Sequence, residues 1–325
     1  MKGRKMQFKK IFSIIFAVFF CVCCYGQEAK DGNKYKDIVY EAGYAHNKWG
    51  ITPADHVFTF RAYTTSFDGE DDNDGDGVGD KWGVPEWVAF EVRRKTMQVK
   101  ASRPSTWMSE ETLYAPGKNI APKDDSYHFT NATKAAYPYS LTYNLSRGHM
   151  CPKNTANRLG KDADYNTHTV LNACPQKQWF NNGIWKDLER LTENWADEYG
   201  TVWVICGPVF HKKKPRLWLG ETEKGETPVA VPDGFYKIII RESPDPNQPH
   251  VLAFIYPHAI EPSNNRKKSS SQGYPHEKFL VSVDDIEKHT DLNFFTSLTT
   301  TQQGIIEQKA ATEVWDDPGE YELLD

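Results

Sequence analysis

The chain of 325 residues has no surplus of positive charge: 39 Lys and Arg stand against 44 Asp and Glu. That argues against a protein that coats nucleic acid by bulk charge. It leaves room for an enzyme that grips a few phosphates locally. No apolar run reaches the ~20 residues of a membrane-spanning helix; the longest covers residues 11–25. Cysteine is scarce, with six in all and three of them inside that run. The other three, Cys151, Cys174 and Cys206, are too few and too odd in number for a disulfide framework. There is no internal repeat, which argues against solenoids and propellers.

What is present begins with a basic start. Lys2, Arg4, Lys5, Lys9 and Lys10 precede the apolar run, and Gly26 stands at its exit before Gln27-Glu28-Ala29-Lys30. This order describes a secretory signal peptide over residues 1–26, cut between Gly26 and Gln27. A retained single-pass anchor is the alternative. Lipidation at Cys21, Cys23 or Cys24 is disfavoured by the bulky residue before each. The expectation is a secreted or periplasmic protein rather than a surface lipoprotein, with no stable membrane insertion after cleavage. Without residues 1–26 the balance becomes 34 basic against 44 acidic residues, a net of −10. In an oxidising compartment Cys151 and Cys174 either pair or, with Cys206, act as small buried hydrophobes.

Hydrophobic residues make up 39 % of the chain and aromatics 13 %, enough for a sizeable core. Residues 27–54 are polar and weakly patterned and read as a loose lead-in. Alternation predicts a strand at 57–63, and another is read at 87–92. Short apolar runs whose β-branched content decides for strand over helix lie at 202–209, 235–240 and 251–256, and 279–283 adds one more. Apolar residues at spacings of three and four (Ile184, Leu188, Leu191, Trp195) predict a helix over 183–199, with Gly200 as its stop. A short helix is expected at 284–289. Residues 266–272 form a basic, Ser-rich loop, and the last 15 residues are acidic and expected to fray. Strands, one long helix and more strands predict an α+β fold with a central antiparallel sheet. One domain is expected over 55–298, with a C-terminal tail over 299–325.

Two segments carry chemistry. The first is Ser146-Arg147-Gly148-His149. Phosphodiester hydrolysis needs a base, positive charge at phosphorus and help for the leaving oxygen. A histidine can be the base near neutral pH, and an arginine can grip a phosphate oxygen with two donors. The second runs from Asn172 through Pro175-Gln176 and Asn181 to Glu189. A neutral asparagine oxygen is a hard ligand suited to Mg2+; Asn181 is equally a good helix cap. Glu189, eight residues on, lies about 80° round an ideal helix. Trp185 and Leu188 read as core.

His149 in Arg-Gly-His, then Asn-x-x-Pro-Gln, then Asn-x-Gly-x-Trp-x-x-Leu-Glu resembles the DNA/RNA non-specific endonucleases. The resemblance extends over about residues 55–298. It implies a ββα-metal finger, in which a hairpin bears the histidine and the next helix the metal ligand. It implies His149 as general base, Asn181 as the single direct ligand to Mg2+ (Mn2+ being the other candidate) and Glu189 as the holder of a water on the metal. Asn172 is implied to support the site by hydrogen bonding and Arg147 to lie near the phosphate. Arg61, near a family arginine of the first strand, is a candidate for transition-state stabilisation. The implied activity is a metal-dependent endonuclease on DNA and RNA, leaving 5′-phosphate ends. A more selective phosphodiesterase and an inactive surface-binding module are the alternatives. A homodimer is compatible with the sequence. Two positions depart from the family pattern: Ser146 replaces the usual Asp, and Glu193 stands where an arginine is common.

Between the first two predicted strands lies an acidic insertion at 68–83. Asp72, Asp74, Asp76 and Asp80 fall at positions 1, 3, 5 and 9 of a calcium loop, with Gly77 at 6. Gly83 stands where the twelfth, acidic ligand belongs, with Glu86 as a substitute. Structural Ca2+ is one reading and a solvated acidic loop the other.

Overall fold

The computed structural model describes residues 27–28, 44–52, 56–67, 82–99, 102–104, 107–108, 127, 145–211, 215–220, 226, 228–258 and 273–319. The expected signal peptide, the 72–80 loop and the 266–272 loop lie outside the described residues.

The strands in chain order are β1 (Gln27–Glu28), β2 (Ile51–Thr52), β3 (His56–Thr59), β4 (Thr64–Phe67), β5 (Pro85–Arg93), β6 (Leu145–His149) and β7 (Ala173–Lys177). Then come β8 (Thr201–Val209), β9 (Trp218–Leu219), β10 (Val229–Ala230), β11 (Gly234–Arg241), β12 (His250–Pro257) and β13 (Asn293–Phe294). The helices are α1 (Lys153–Ala156), α2 (Lys161–Asn166), α3 (Lys186–Tyr199), α4 (Val283–Thr290) and α5 (Thr300–Glu307). Seven strands form one sheet in the order β1-β3-β4-β5-β8-β11-β12. Every pairing in it is antiparallel except β1 with β3. The fold is α+β around a central antiparallel sheet.

Alternation along the strands gives the sheet two apolar faces. Val88, Phe90, Val204, Cys206, Phe235, Ile239 and Phe254 join one core with Leu188, Leu191 and Trp195 of α3. Trp87, Ala89, Trp203, Ile205, Ile238 and Ile240 join a second core with Val283 and Ile286 of α4. Fully burying a leucine- or phenylalanine-sized side chain is worth roughly 1.5–3 kcal/mol, so both faces hold the sheet firmly. The ββα unit rides on the first face.

Several expectations are corrected. The predicted strand at 57–63 ends at Thr59; Phe60 N–H donates to the Tyr63 carbonyl (2.8 Å), and the chain turns back as β4. The predicted strand at 279–283 is a 3-10 turn over His276–Phe279 and one bridge from Leu280 to Phe254. Ser282 and Asp285 then form a capping box that starts α4 at Val283. The end of the lead-in is not loose: Trp49 and Ile51 are buried, and β2 pairs with β13. Nor do residues 311–319 fray. Trp315 packs on Trp195 with ring centroids 5.2 Å apart, and Asp317 accepts from Arg190 and Asn194. The cysteines follow the second of their two readings: all three described cysteines are buried free thiols, and Cys151 and Cys174 are not bridged.

Candidate active site

β6 and β7 form a two-stranded antiparallel unit outside the main sheet, with Arg147 opposite Pro175 and His149 opposite Ala173. Gly148 lets the strands close. A Cβ there would lie 2.0 Å from Gln176 Oε1 and 2.5 Å from its Cγ, so any larger residue must displace a buried side chain. β7 runs directly into helical segments at Gln178–Phe180 and Asn181–Trp185, and then into α3. His149, Asn181 and Glu189 therefore belong to one β-β-α unit. The helix starts earlier than its apolar spacing indicates. Residues 181–185 form a π-type turn, with Gly183 at φ −101° and ψ −118°, so the ideal angle between Asn181 and Glu189 does not apply. At its far end Gly200, at φ 94°, stops the helix and donates its N–H to the Ala196 carbonyl.

His149 is partly exposed, but its Nε2 is buried without a hydrogen-bond partner. Trp107 and His168 flank the ring, with centroids at 4.7 and 5.3 Å. Burial, then the neighbours His168, Arg103, Lys153 and Arg147, hold the imidazole pKa well below its ordinary 6.5. The ring is thus neutral near pH 7, as a base must be. His168 is itself pushed down to about 4, by burial and then by Lys153 and Arg103. Arg147 sits half-buried with its guanidinium 5.3 Å from the Trp107 ring. Burial and Arg103 lower its pKa, but a guanidinium remains charged at neutral pH.

Ser146 explains how Asn181 is oriented. Ser146 Oγ donates its only hydrogen to the Gln176 carbonyl (3.3 Å), so it can only accept from Asn181, whose Nδ2 lies 3.1 Å away. The amide NH2 is therefore held towards Ser146 and the amide oxygen away from it. Asn172 plays a different part. It is fully buried; its Oδ1 accepts from Cys151 N–H (2.7 Å), and its Nδ2 donates to the Cys151 and Thr167 carbonyls (2.9 and 3.1 Å). Asn172 clamps the chain two residues after His149 and has no donor left for a substrate.

Glu189 is partly buried. Burial pushes its carboxyl up to about 7, against the pull of Lys237 and Lys186 and with the push of Glu193. Glu193 accepts from Thr155 Oγ1 (2.9 Å) and pairs with Arg158 (3.6 Å), which also grips Asp197. Arg158 thus supplies a guanidinium beside the position where the sequence lacks an arginine. Arg61 is not part of the ββα unit. It stands at the β3–β4 turn, where its backbone N–H donates to Asn166 and its guanidinium lies 3.9 Å from Asp162.

Sequence reasoning missed Trp107, Arg103, His168 and Lys237. Lys237 is fully buried with its ammonium 3.7 Å from the Trp185 ring centroid. Burial lowers its pKa, opposed by Glu189, Cys206 and Cys151. A signal for it existed: strand alternation puts residue 237 on the same face as buried Phe235 and Ile239.

A family model described as DNA/RNA non-specific endonuclease matches residues 78–301. The chain belongs to that family. It is 27 % identical over 229 residues to the mitochondrial nuclease EXOG of Danio rerio, covering 67 % of this chain and 58 % of that protein. It is 26 % identical to the nuclease of Serratia marcescens, covering 69 % and 73 %. Human mitochondrial endonuclease G is 27 % identical, covering 54 % of this chain and 56 % of that one. The chain thus spans less than two thirds of the length of both mitochondrial relatives. Among solved structures it is similar to a chain of the EndoG/EndoGI complex, with TM-score 0.52 and 24 % identity, over 79 % of this chain and 92 % of that chain. That likeness concerns the fold.

Proposed function

We propose that this endonuclease-family chain is a metal-dependent endonuclease, exported from the cytoplasm, that hydrolyses phosphodiester bonds of DNA and RNA with little sequence preference. One observation carries the reading. A neutral histidine with an unpartnered buried nitrogen shares a hairpin with a half-buried arginine, and that hairpin's serine orients the asparagine of the following helix.

The donor set fits a hard divalent cation. The Asn181 amide oxygen would hold Mg2+ (or Mn2+), and Glu189 would stand in the ion's outer shell. Bound there, the cation would supply positive charge to the scissile phosphate and the leaving 3′ oxygen. The chain's own groups do the rest. His149 takes a proton from the attacking water. Arg147 holds a phosphate oxygen and neutralises its charge. Lys237 keeps Glu189 from being a lone charge in the core. Asn172 fixes the backbone that carries His149. Arg61, outside the finger, is the candidate second cation for neutralising charge in the transition state. The expected products carry 5′-phosphate and 3′-hydroxyl ends.

The test is digestion of supercoiled DNA and of RNA with Mg2+, Mn2+, Ca2+ or EDTA. Cleavage of both polymers that EDTA abolishes supports the reading. Cleavage of one polymer alone, or of a small phosphodiester only, replaces it with a selective phosphodiesterase. No cleavage under any ion makes the chain a binding module.

A further inference from the structure

Helix α5 is built against expectation. It exposes Ile305 (59 % exposed) and buries Glu307 (6 % exposed). Amphipathic docking alone would do the reverse. Glu307 Oε1 is buried without a hydrogen-bond partner. Opposite it, α4 presents Asp284 and Glu287, one turn apart, and one carboxylate oxygen from each of the three residues lies within 4.8 Å of the others. Glu287 also accepts from Phe294 N–H (2.9 Å), which fixes its carboxylate. The neighbouring cation, Lys288, is turned to Asp285 instead (3.1 Å). No ion pair neutralises the three carboxylates among the described residues.

A buried, unpaired carboxylate beside two others is strongly unfavourable unless it is neutralised. We propose that Asp284, Glu287 and Glu307 bind a divalent cation, Ca2+ by preference, that fastens α5 to α4. Oxygens around one Ca2+ sit about 2.3–2.6 Å from it, so two of them can stand up to about 5 Å apart, and the three carboxylate oxygens lie within that reach of one another. Mg2+ demands a near-ideal octahedron at about 2.0–2.1 Å and gives up its waters reluctantly, so a site of three carboxylates suits it less well. Three carboxylates leave several positions for waters or carbonyls, as Ca2+ accepts. The site lies on the second face of the sheet, and its third ligand falls beyond residue 301, where the family match stops. The role is structural and independent of the proposed catalysis.

The test uses the full-length chain stripped with EDTA. Its melting temperature is followed as CaCl2 is added, for wild type, Glu307→Gln and Asp284→Asn. All three proteins, including the one called wild type at residues 284 and 307, also carry Asp72, Asp74, Asp76 and Asp80 changed to Ala, so that the acidic insertion cannot account for a difference between them. In EDTA, Glu307→Gln should melt above wild type, because a repelling charge is gone. In millimolar Ca2+ the order should reverse, with wild type rising by about 5 °C and the variant by much less. Calorimetry should show Ca2+ affinity at least ~10-fold weaker in either variant. Equal Ca2+ responses in all three proteins would overturn the proposal. So would a wild-type chain that does not respond to Ca2+, which would leave a shared proton as the neutralising partner. Asp284 is only partly buried, so Asp284→Asn carries the test if Glu307→Gln does not fold.

Discussion

Two asparagines of the same unit are used in opposite ways. Asn172 spends its side chain inward: its one acceptor and both amide hydrogens go to buried backbone groups. Asn181 spends one N–H on Ser146 and keeps its oxygen turned away from that serine. The same contrast runs through the neighbours. The buried groups that Asn172 touches, the Cys151 N–H and the Cys151 and Thr167 carbonyls, are paired. Around Gly148 they are not, since His149 Nε2 and both polar atoms of Gln176 are buried without partners. Unpaired buried polar atoms are rare and unfavourable, and here three of them gather on Gln176 and on His149, whose pKa is displaced. Such gathering is the mark of a functional site. On the proposed function, Asn172 serves the rigidity of the finger and Asn181 its chemistry.

His149→Ala would separate the two roles most sharply. The rate on plasmid DNA should fall by ~10²–10⁴-fold, while the urea midpoint should move little, because the lost ring leaves no hydrogen bond broken at Nε2. A wild-type rate in this variant would end the assignment of His149 as base.

Asn172→Ala should show the converse. Removing the clamp strands Cys151 N–H and the carbonyls of Cys151 and Thr167, at about 1–3 kcal/mol for a buried group left unpaired. Urea unfolding should report a loss of about 3 kcal/mol or more. An Asn172→Ala protein as stable as wild type but catalytically dead would mean that Asn172 touches the substrate, and the contrast between the asparagines would collapse.

The residues assigned to chemistry were legible in the sequence because they are local. His149, Asn181 and Glu189 sit in two short motifs joined by a hairpin, and the strands β5, β8, β11 and β12 announced themselves by apolar, β-branched runs. The rest failed for physical reasons. The β3–β4 turn is made of Phe60, Arg61, Ala62 and Tyr63, with both aromatics buried, so it shows none of the Gly, Pro or Asn that mark turns. Trp107 reaches His149 from a segment well before β6 and His168 from the long connection between β6 and β7, and no periodicity links them to it. Lys237 interrupts an apolar strand, and a charge in a strand reads as solvent-facing. The last residues looked like an acidic tail because composition hides one anchor, Trp315, wedged against Trp195 and Tyr199.

Glu189 gives an intermediate test, through pH. Its carboxyl titrates at about 7 because burial favours the neutral form. As an outer-shell partner of the cation it must be ionised. The rate at limiting Mg2+ should therefore rise through about pH 7 and level off above it. His149, whose pKa is depressed, stays neutral across that range and limits the rate only well below pH 6.5. Glu189→Gln should lower the rate by about 10-fold and erase the step near pH 7. A step that survives the substitution belongs to another group.

The smallest effect should come from Ser146, and it bears most directly on how Asn181 differs from Asn172. Ser146→Ala removes the acceptor that holds the Asn181 NH2 and also frees the Gln176 carbonyl. A hydrogen bond of this kind is worth about 1 kcal/mol, so the Mg2+ concentration for half-maximal rate should rise by about 5-fold. The rate at saturating Mg2+ should stay close to wild type, since the amide oxygen is still present once the side chain is oriented. Ser146→Asp keeps an acceptor and adds a negative charge beside the cation position. It should lower the half-maximal Mg2+ concentration below that of wild type, unless repulsion from the Gln176 carbonyl turns the carboxylate away. The two variants move the same reading in opposite directions. If both leave it unchanged, the Ser146 hydroxyl does not position Asn181, and the departure from aspartate at this position has no bearing on the metal.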